Sequence, residues 1–322
     1  MTLTTFKDQM NKWGRDRVPF LFMIDFEMER PRIFKLDAID PAKLLFNFNG
    51  KGNGLSNPPT SSIELNIQPI TYPNFKKKFE TVMHHIKRGD SFLTNLTFRS
   101  AITNSIDLKA LFYRANAKYK LWMRNQFVFY SPESFIKIAD GNMFTFPMKG
   151  TIDASIEDAS NKIVSDPKEL AEHITIVDLL RNDLGRVATD VQVKRFRYVD
   201  EIRSSGKAIF QVSSEIVGRL PSQYQNHLGD IVVGMLPAGS ISGAPKTKTV
   251  ELIRSAERIK RGYYSGVAGV FDGINLDSCV MIRFIEQKGK RFFYRSGAGI
   301  TFQSDPEKEY KETLDKIYVP SF

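Results

Sequence analysis

The sequence predicts an α+β fold built on antiparallel sheets, and three observations lead there. Apolar segments of strand length come in runs joined by short turns, not in one-for-one alternation with helices. The helical segments stand between those runs, and the clearest of them carries its own start and stop signals. The chain has 322 residues, 42% hydrophobic and 25% charged. That is enough to bury a large core behind an ordinary soluble surface.

Residues 20–48 alternate apolar and polar over short spans, 21–26 and 33–36 among them, and read as strands. Residues 49–59 are rich in Gly, Asn, Ser and Pro and read as an exposed loop. Phe75, Phe79, Val82 and Ile86 recur at helical spacing, so residues 72–88 read as a helix ended by Gly89-Asp90. Residues 91–99 read as a strand and 106–118 as a helix, with strands following at 126–130, 134–138 and 143–146. The central helix starts at Asp166, an N-cap, with Pro167 in the first turn and Glu169 where a capping-box acid belongs. Gly185 is placed to end it in a left-handed conformation. Leu170, Ile174 and Val177 form its apolar face. Strands are expected at 191–199 and 209–217, a helix at 247–256, then strands at 265–271, 279–286 and 291–295. A last helix spans residues 306–317.

One cysteine, Cys279, excludes an internal disulfide and fits a reducing, cytoplasmic setting. It lies in an apparent strand with no partner histidine, so the chain is not expected to hydrolyse glutamine. No His and Cys cluster is spaced to hold zinc. The apolar run at 18–24 is too short to span a bilayer, and neither a secretory leader nor a membrane role is expected. Net charge is +10 and the pI is near 9.5. Lys and Arg are scattered, and the densest run is Lys76-Lys77-Lys78. A small polyanionic substrate or an acidic partner explains that charge as well as nucleic acid does.

Two helix starts carry paired acids. Glu169 and Glu172 lie three apart in the central helix. Ser304-Asp305-Pro306 opens the last helix, where Glu309, Glu312 and Lys316 fall on one face. Two such pairs closing on one ion would suit Mg²⁺, which takes carboxylate, water and substrate oxygens. Acidic first turns are also ordinary helix chemistry, and spacing does not show that the helices meet. The loop Gly239-Ser240-Ile241-Ser242-Gly243-Ala244-Pro245-Lys246 is glycine-rich but is not a Walker A loop, because Pro245 lacks an amide proton and no Gly-Lys-Ser/Thr ends it. Gly297-Ala298-Gly299 either lets backbone amides approach a ligand or forms a plain bulge. Lys149 follows a predicted strand within Pro147-Met148-Lys149-Gly150-Thr151, as a surface turn lysine or as a nucleophile. A nucleophile must be neutral, which calls for cations such as Lys316, Arg283 or Mg²⁺ nearby to lower its pKa.

Taken together, these segments resemble the chorismate-utilising enzymes, most closely the large subunits of aminodeoxychorismate synthase. The resemblance runs from Tyr72 to Ile317. It rests on Gly89-Asp90-Ser91-Phe92 with Asn95-Leu96-Thr97, on Ser131-Pro132-Glu133, on the segments around Lys149 and from Glu172 to Arg186, on Gly239 to Lys246, on Arg261-Gly262-Tyr263-Tyr264-Ser265-Gly266, and on Ser296 to Lys316. Residues 1–71 match poorly. The resemblance implies one domain over residues 1–322, with antiparallel sheets stacked as a sandwich, helices packed outside and the site between. It implies that Glu172 and Glu312 contact Mg²⁺, that Glu169 and Glu309 support the ion through water, and that the ion holds the ring carboxylate of chorismate. Tyr264, Arg283, Lys316 and the amides around Gly297 and Gly299 would hold the enolpyruvyl carboxylate, with Ser240 lining the ring pocket. Lys149 discriminates within the family, since anthranilate synthases usually carry alanine there. In the implied reaction Lys149 attacks C2 while the C4 hydroxyl leaves, protonated by Glu133, and ammonia then adds at C4 and expels the lysine. Relatives usually have His where this chain has Gln211, which fits an enzyme that stops at 4-amino-4-deoxychorismate. Ammonia would come from a glutamine amidotransferase subunit. Anthranilate, isochorismate or salicylate synthesis is the alternative within the family. A basic nucleic-acid-binding protein is the alternative outside it.

Overall fold

The structure, a computed structural model, describes residues 1–54, 64–204 and 207–320. The strand Phe20–Ile24 shows how its layers are built. All five residues are buried, so a continuous apolar run replaces the expected alternation. Phe20, Phe22 and Ile24 enter a core shared with helices, while Leu21 and Met23 enter a core shared with a second sheet.

The first sheet runs, in spatial order, Met148–Asp153, Lys207–Arg219, Asn142–Thr145, Ser134–Ala139, Leu276–Val280, Val267–Phe271, Phe20–Ile24 and Arg32–Lys35. Thr189–Ser204 also pairs with Lys207–Arg219. The second runs Gly243–Ala244, Leu93–Ile102, Arg291–Thr301, Phe284–Lys288, Phe127–Ser131, Tyr119–Met123, Leu44–Phe48 and Lys51–Gly52, with Ile67–Gln68 beside Leu93–Ile102. All these pairings are antiparallel. Between the sheets, Tyr119, Phe127, Phe129 and Phe284 meet Ala268, Val270 and Cys279. The helices Leu3–Arg15, Pro167–Leu184 and Leu228–Gly234 cover the outside of the first sheet. Tyr72–Lys87, Leu108–Arg114, Lys246–Glu257 and Pro306–Asp315 cover the outside of the second. The expected sandwich of antiparallel sheets with outer helices is therefore present. Among the described residues no helix is long and apolar enough to cross a membrane.

Several elements differ from expectation, and the differences shape the site. The strand expected at 279–286 is two strands, Leu276–Val280 in the first sheet and Phe284–Lys288 in the second. The chain crosses between sheets there, and Arg283 sits at the crossing with φ +52°. Gly297-Ala298-Gly299 lies inside the strand Arg291–Thr301. Lys149 also lies within a strand, Met148–Asp153, whose register shifts between Met148 and Thr151. The helix expected at 106–118 is shorter, because the chain enters a strand at Tyr119 and the Lys120 ammonium bonds the carbonyls of Phe112 and Ala115 at 3.0 and 2.7 Å. Helices Leu3–Arg15, Ala159–Ser165 and Leu228–Gly234 were not anticipated. Of the loop expected at 49–59, residues 51–52 form a short strand and 55–59 lie outside the described residues.

Arg261 ties the layers together from a position only 1% exposed. It donates to both Glu257 oxygens at 3.0 and 2.6 Å, and to the carbonyls of Ile241 and Asn95 at 2.9 and 2.5 Å. Removing one partner of such a pair strands a buried charge. Arg261→Met should therefore lose about 3–5 kcal/mol in urea denaturation. The double variant Arg261→Met/Glu257→Leu should lose less, since neither charge is then left alone; an equal or larger loss would contradict this.

Candidate active site

The central helix, Pro167–Leu184, begins as its sequence suggests, with the Glu169 amide donating to Asp166 Oδ1 at 2.9 Å. Its buried side carries Glu172, His173, Ile176, Val177, Leu180 and Leu184. Ile174, expected on the apolar face, is half exposed. The reason is rotational: the acids share the buried stripe instead of opposing it, so their carboxylates point into the protein. Gly185 is not left-handed. The helix instead unwinds in right-handed turns, with Arg186 bonded to the Asp183 carbonyl and Val187 to that of Leu184.

Lys149 reaches this helix from the strand Met148–Asp153. Its ammonium lies 3.5 Å from Glu172 Oε2. Two glycines make room for the approach. A Cβ on Gly299 would stand 3.1 Å from the Lys149 nitrogen, and one on Gly150, at φ +83°, would stand 2.9 Å from Glu169 Oε2. Burial pulls the Lys149 pKa down, but the charges of Glu172, Glu312, Glu169 and Glu133 outweigh it and hold the pKa above the ordinary value. This corrects the expectation of a neutral amine. Carboxylates rather than cations dominate its surroundings, so the resting lysine is an ammonium.

The last helix closes the site from the other side. Asp305 caps it through the amides of Glu307 and Lys308. Glu309 is buried and accepts from Ser304 Oγ at 2.7 Å. Glu312 sits at the rim, hydrogen-bonded to Glu309 and paired with Lys316 at 2.5 Å. Partial burial pushes Glu312 up, but Lys316 and Lys149 hold it below its ordinary value. Lys316 also donates to the Gly297 carbonyl at 3.1 Å. Side chains from both ends thus reach the strand Arg291–Thr301, Glu172 near Gly299 and Lys316 at Gly297.

Glu133 borders a cavity lined also by Thr145, Pro147, Leu180, Gly239 and Ser240. Ser240 Oγ donates to Glu133 Oε1. Burial raises the Glu133 pKa, against the downward pull of the Ser240 bond and of Lys149, Arg283 and Lys316. Tyr264 is buried edge-on to Phe284 and lies beside Arg283. Gln211 is one strand away from Lys149, with its amide on Ser213 Oγ at 3.2 Å and on Met148 Sδ at 2.9 Å. Of the sequence-predicted site residues, Glu133 and Ser240 line this cavity, Lys149, Glu172 and Gly299 stand together beside it, and Lys316 joins Glu312 to Gly297.

Among the described residues, no three of His, Cys, Asp and Glu form a ready metal cluster. Ammonium groups occupy the space between the acids instead. The donor chemistry still fits a hard cation, because the side chains that the two helix starts offer are carboxylates.

The sequence profile of the chorismate binding enzymes matches residues 36–321. The chain belongs to the chorismate-binding enzyme family. It is 46% identical over 319 residues to an uncharacterised PabA-like protein of Haemophilus influenzae, covering 99% of this chain and 97% of that one. It is 32% identical over 266 residues to aminodeoxychorismate synthase component 1 of Bacillus subtilis, covering 78% of this chain but only 55% of that protein. The fold matches MenF, the menaquinone-specific isochorismate synthase of Escherichia coli, with a TM-score of 0.73 at 16% identity, covering 97% of this chain and 80% of that one.

This chorismate-binding chain holds further residues that carried no separate sequence signal. Lys246 donates to Asp183 Oδ2 at 2.7 Å and so locks the Gly239 loop to the central helix. His173, fully buried, lies 2.6 Å from Ser214 Oγ. The Ser214 amide in turn donates to the Pro147 carbonyl at 3.0 Å, which links the Glu172 helix to the Lys149 strand. Cys279 is buried, and burial pushes its thiol well above the ordinary value, so it is no nucleophile at neutral pH.

Burial, followed by Arg197 and Lys149, lowers the His173 pKa from 6.5 to about 4. The unfolded chain therefore takes up a proton near pH 6.5 that the folded chain refuses until about pH 4. Stability is complete above pH 6.5 and falls as pH drops toward 4, by up to about 3 kcal/mol from this residue. Urea midpoints of His173→Gln should show a shallower decline over that window than the parent protein; parallel curves would refute the assignment.

Proposed function

We propose that this chain aminates chorismate at C4, giving 4-amino-4-deoxychorismate, with Mg²⁺ and with ammonia supplied by a glutamine amidotransferase subunit. The observation that carries the reading is a lysine amine held against Glu172 and within electrostatic reach of Glu133. A relative named for aminodeoxychorismate synthesis supports it.

In this reading Arg283, Lys316 and Tyr264 bind the enolpyruvyl carboxylate, and Ser240 lines the ring pocket while orienting Glu133. Glu172 and Glu312, backed by Glu169 and Glu309, would hold Mg²⁺, which when bound offsets the charge of the ring carboxylate. Lys149 passes its proton to a neighbouring carboxylate and forms the Nζ–C2 bond as the C4–O bond breaks. Glu133, whose pKa burial raises, gives a proton to the departing hydroxyl, which leaves as water. Ammonia then forms the C4–N bond, and the Nζ–C2 bond breaks to return the lysine. Gln211 offers no imidazole to help eliminate pyruvate, so the aminated ring keeps its enolpyruvyl group.

The test is product identity from purified protein, chorismate, Mg²⁺ and an ammonium salt, read by mass spectrometry. The expected product retains the enolpyruvyl group; p-aminobenzoate or anthranilate as the direct product would reject the proposal. Lys149→Ala should abolish C4 amination while the variant stays folded. Glu133→Gln should slow it by about 10²–10⁴-fold. A chelator should stop turnover and added Mg²⁺ restore it; turnover unaffected by chelation would remove the metal from the scheme.

A further inference from the structure

The segment after the last helix brings a second aromatic group to the proposed carboxylate pocket. Tyr294, fully buried, anchors it, with its hydroxyl bonded to the carbonyls of Lys316 and Tyr318 at 3.1 and 2.7 Å. The Asn116 amide holds the Pro320 carbonyl at 3.0 Å. Tyr318, so placed, lies with its ring centroid 5.1 Å from the Arg283 guanidinium carbon. Arg283 needs such support. It leaves the strand at a positive φ, and its buried Nε has no hydrogen-bond partner.

We propose that Tyr318 is a positioning residue for the substrate carboxylate. It fixes the Arg283 guanidinium by the ring–cation contact, so that the unpartnered Nε edge faces a planar anion. The proposal rests on the chorismate reading above. It assigns the outer wall of the pocket to the tail and not to either sheet. Because Tyr318 is 45% exposed, its removal leaves the core intact.

The experiment compares the parent protein with Tyr318→Phe and Tyr318→Ala, in Mg²⁺, by calorimetric titration with chorismate, by steady-state kinetics and by melting temperature. Tyr318→Ala should weaken the chorismate Kd about tenfold and raise KM to match. Its kcat should stay within about twofold and its Tm within about 2 °C. Tyr318→Phe, which keeps the ring and loses the hydroxyl, should recover most of the affinity. An unchanged Kd in Tyr318→Ala overturns the proposal, and so does a fall in kcat alone. Chorismate binding without amination would reject the reaction but leave the Kd comparison as the test of Tyr318. No binding by the parent protein would reject both.

Discussion

The charge of Lys149 is balanced by four glutamates, Glu172, Glu312, Glu169 and Glu133, and much of the site is an answer to that balance. Lys149 and Lys316 stand among them as counter-charges. Glu169 and Glu309 sit in the first turns of their helices, where the dipole favours anions. Glycine at 150 and at 299 leaves space for a carboxylate and an ammonium that a side chain would exclude. Such an arrangement is held together by mutual charge, so loss of any one member leaves the others poorly balanced. It also explains why acids occupy the buried stripe of the central helix at positions a core would give to leucine.

The seam between the sheets is where these charges meet. Lys149 comes from an edge of the first sheet, Gly297 and Gly299 from the second, and Arg283 from the crossing between them. The buried Arg261–Glu257 pair fixes the Gly239 loop at Ile241 and the strand Leu93–Ile102 at Asn95. The relative placement of these groups therefore depends on the two layers keeping their register. A pocket built from one sheet alone would not.

What the sequence revealed followed from how local each signal is. The Asp166 cap, the helical spacing of Phe75, Phe79, Val82 and Ile86, and the strand runs other than the one at 279–286 are short-range patterns, and they appear in the fold. The candidate site residues were named because they lie in ordered motifs that resemble a family. That their side chains converge was not legible from spacing, since Lys149, Glu172, Gly299 and Glu312 meet only through tertiary pairing. The break at Arg283 was hidden by the apolar residues on both sides, which suit one long strand as well as two. Ile174 misled because a helical wheel orders the faces without saying which one is buried. The charge state of Lys149 misled for a similar reason, since a sequence names neighbours without saying which sign dominates at the amine.

Cys279 lies fully buried between the two sheets, and no other thiol is present in the chain. A cysteine-directed reagent in the surrounding water can reach it only when the layers part. The rate of its labelling in the native state is therefore a direct clock for the opening of the sandwich, read from a single sulfur with no competing signal.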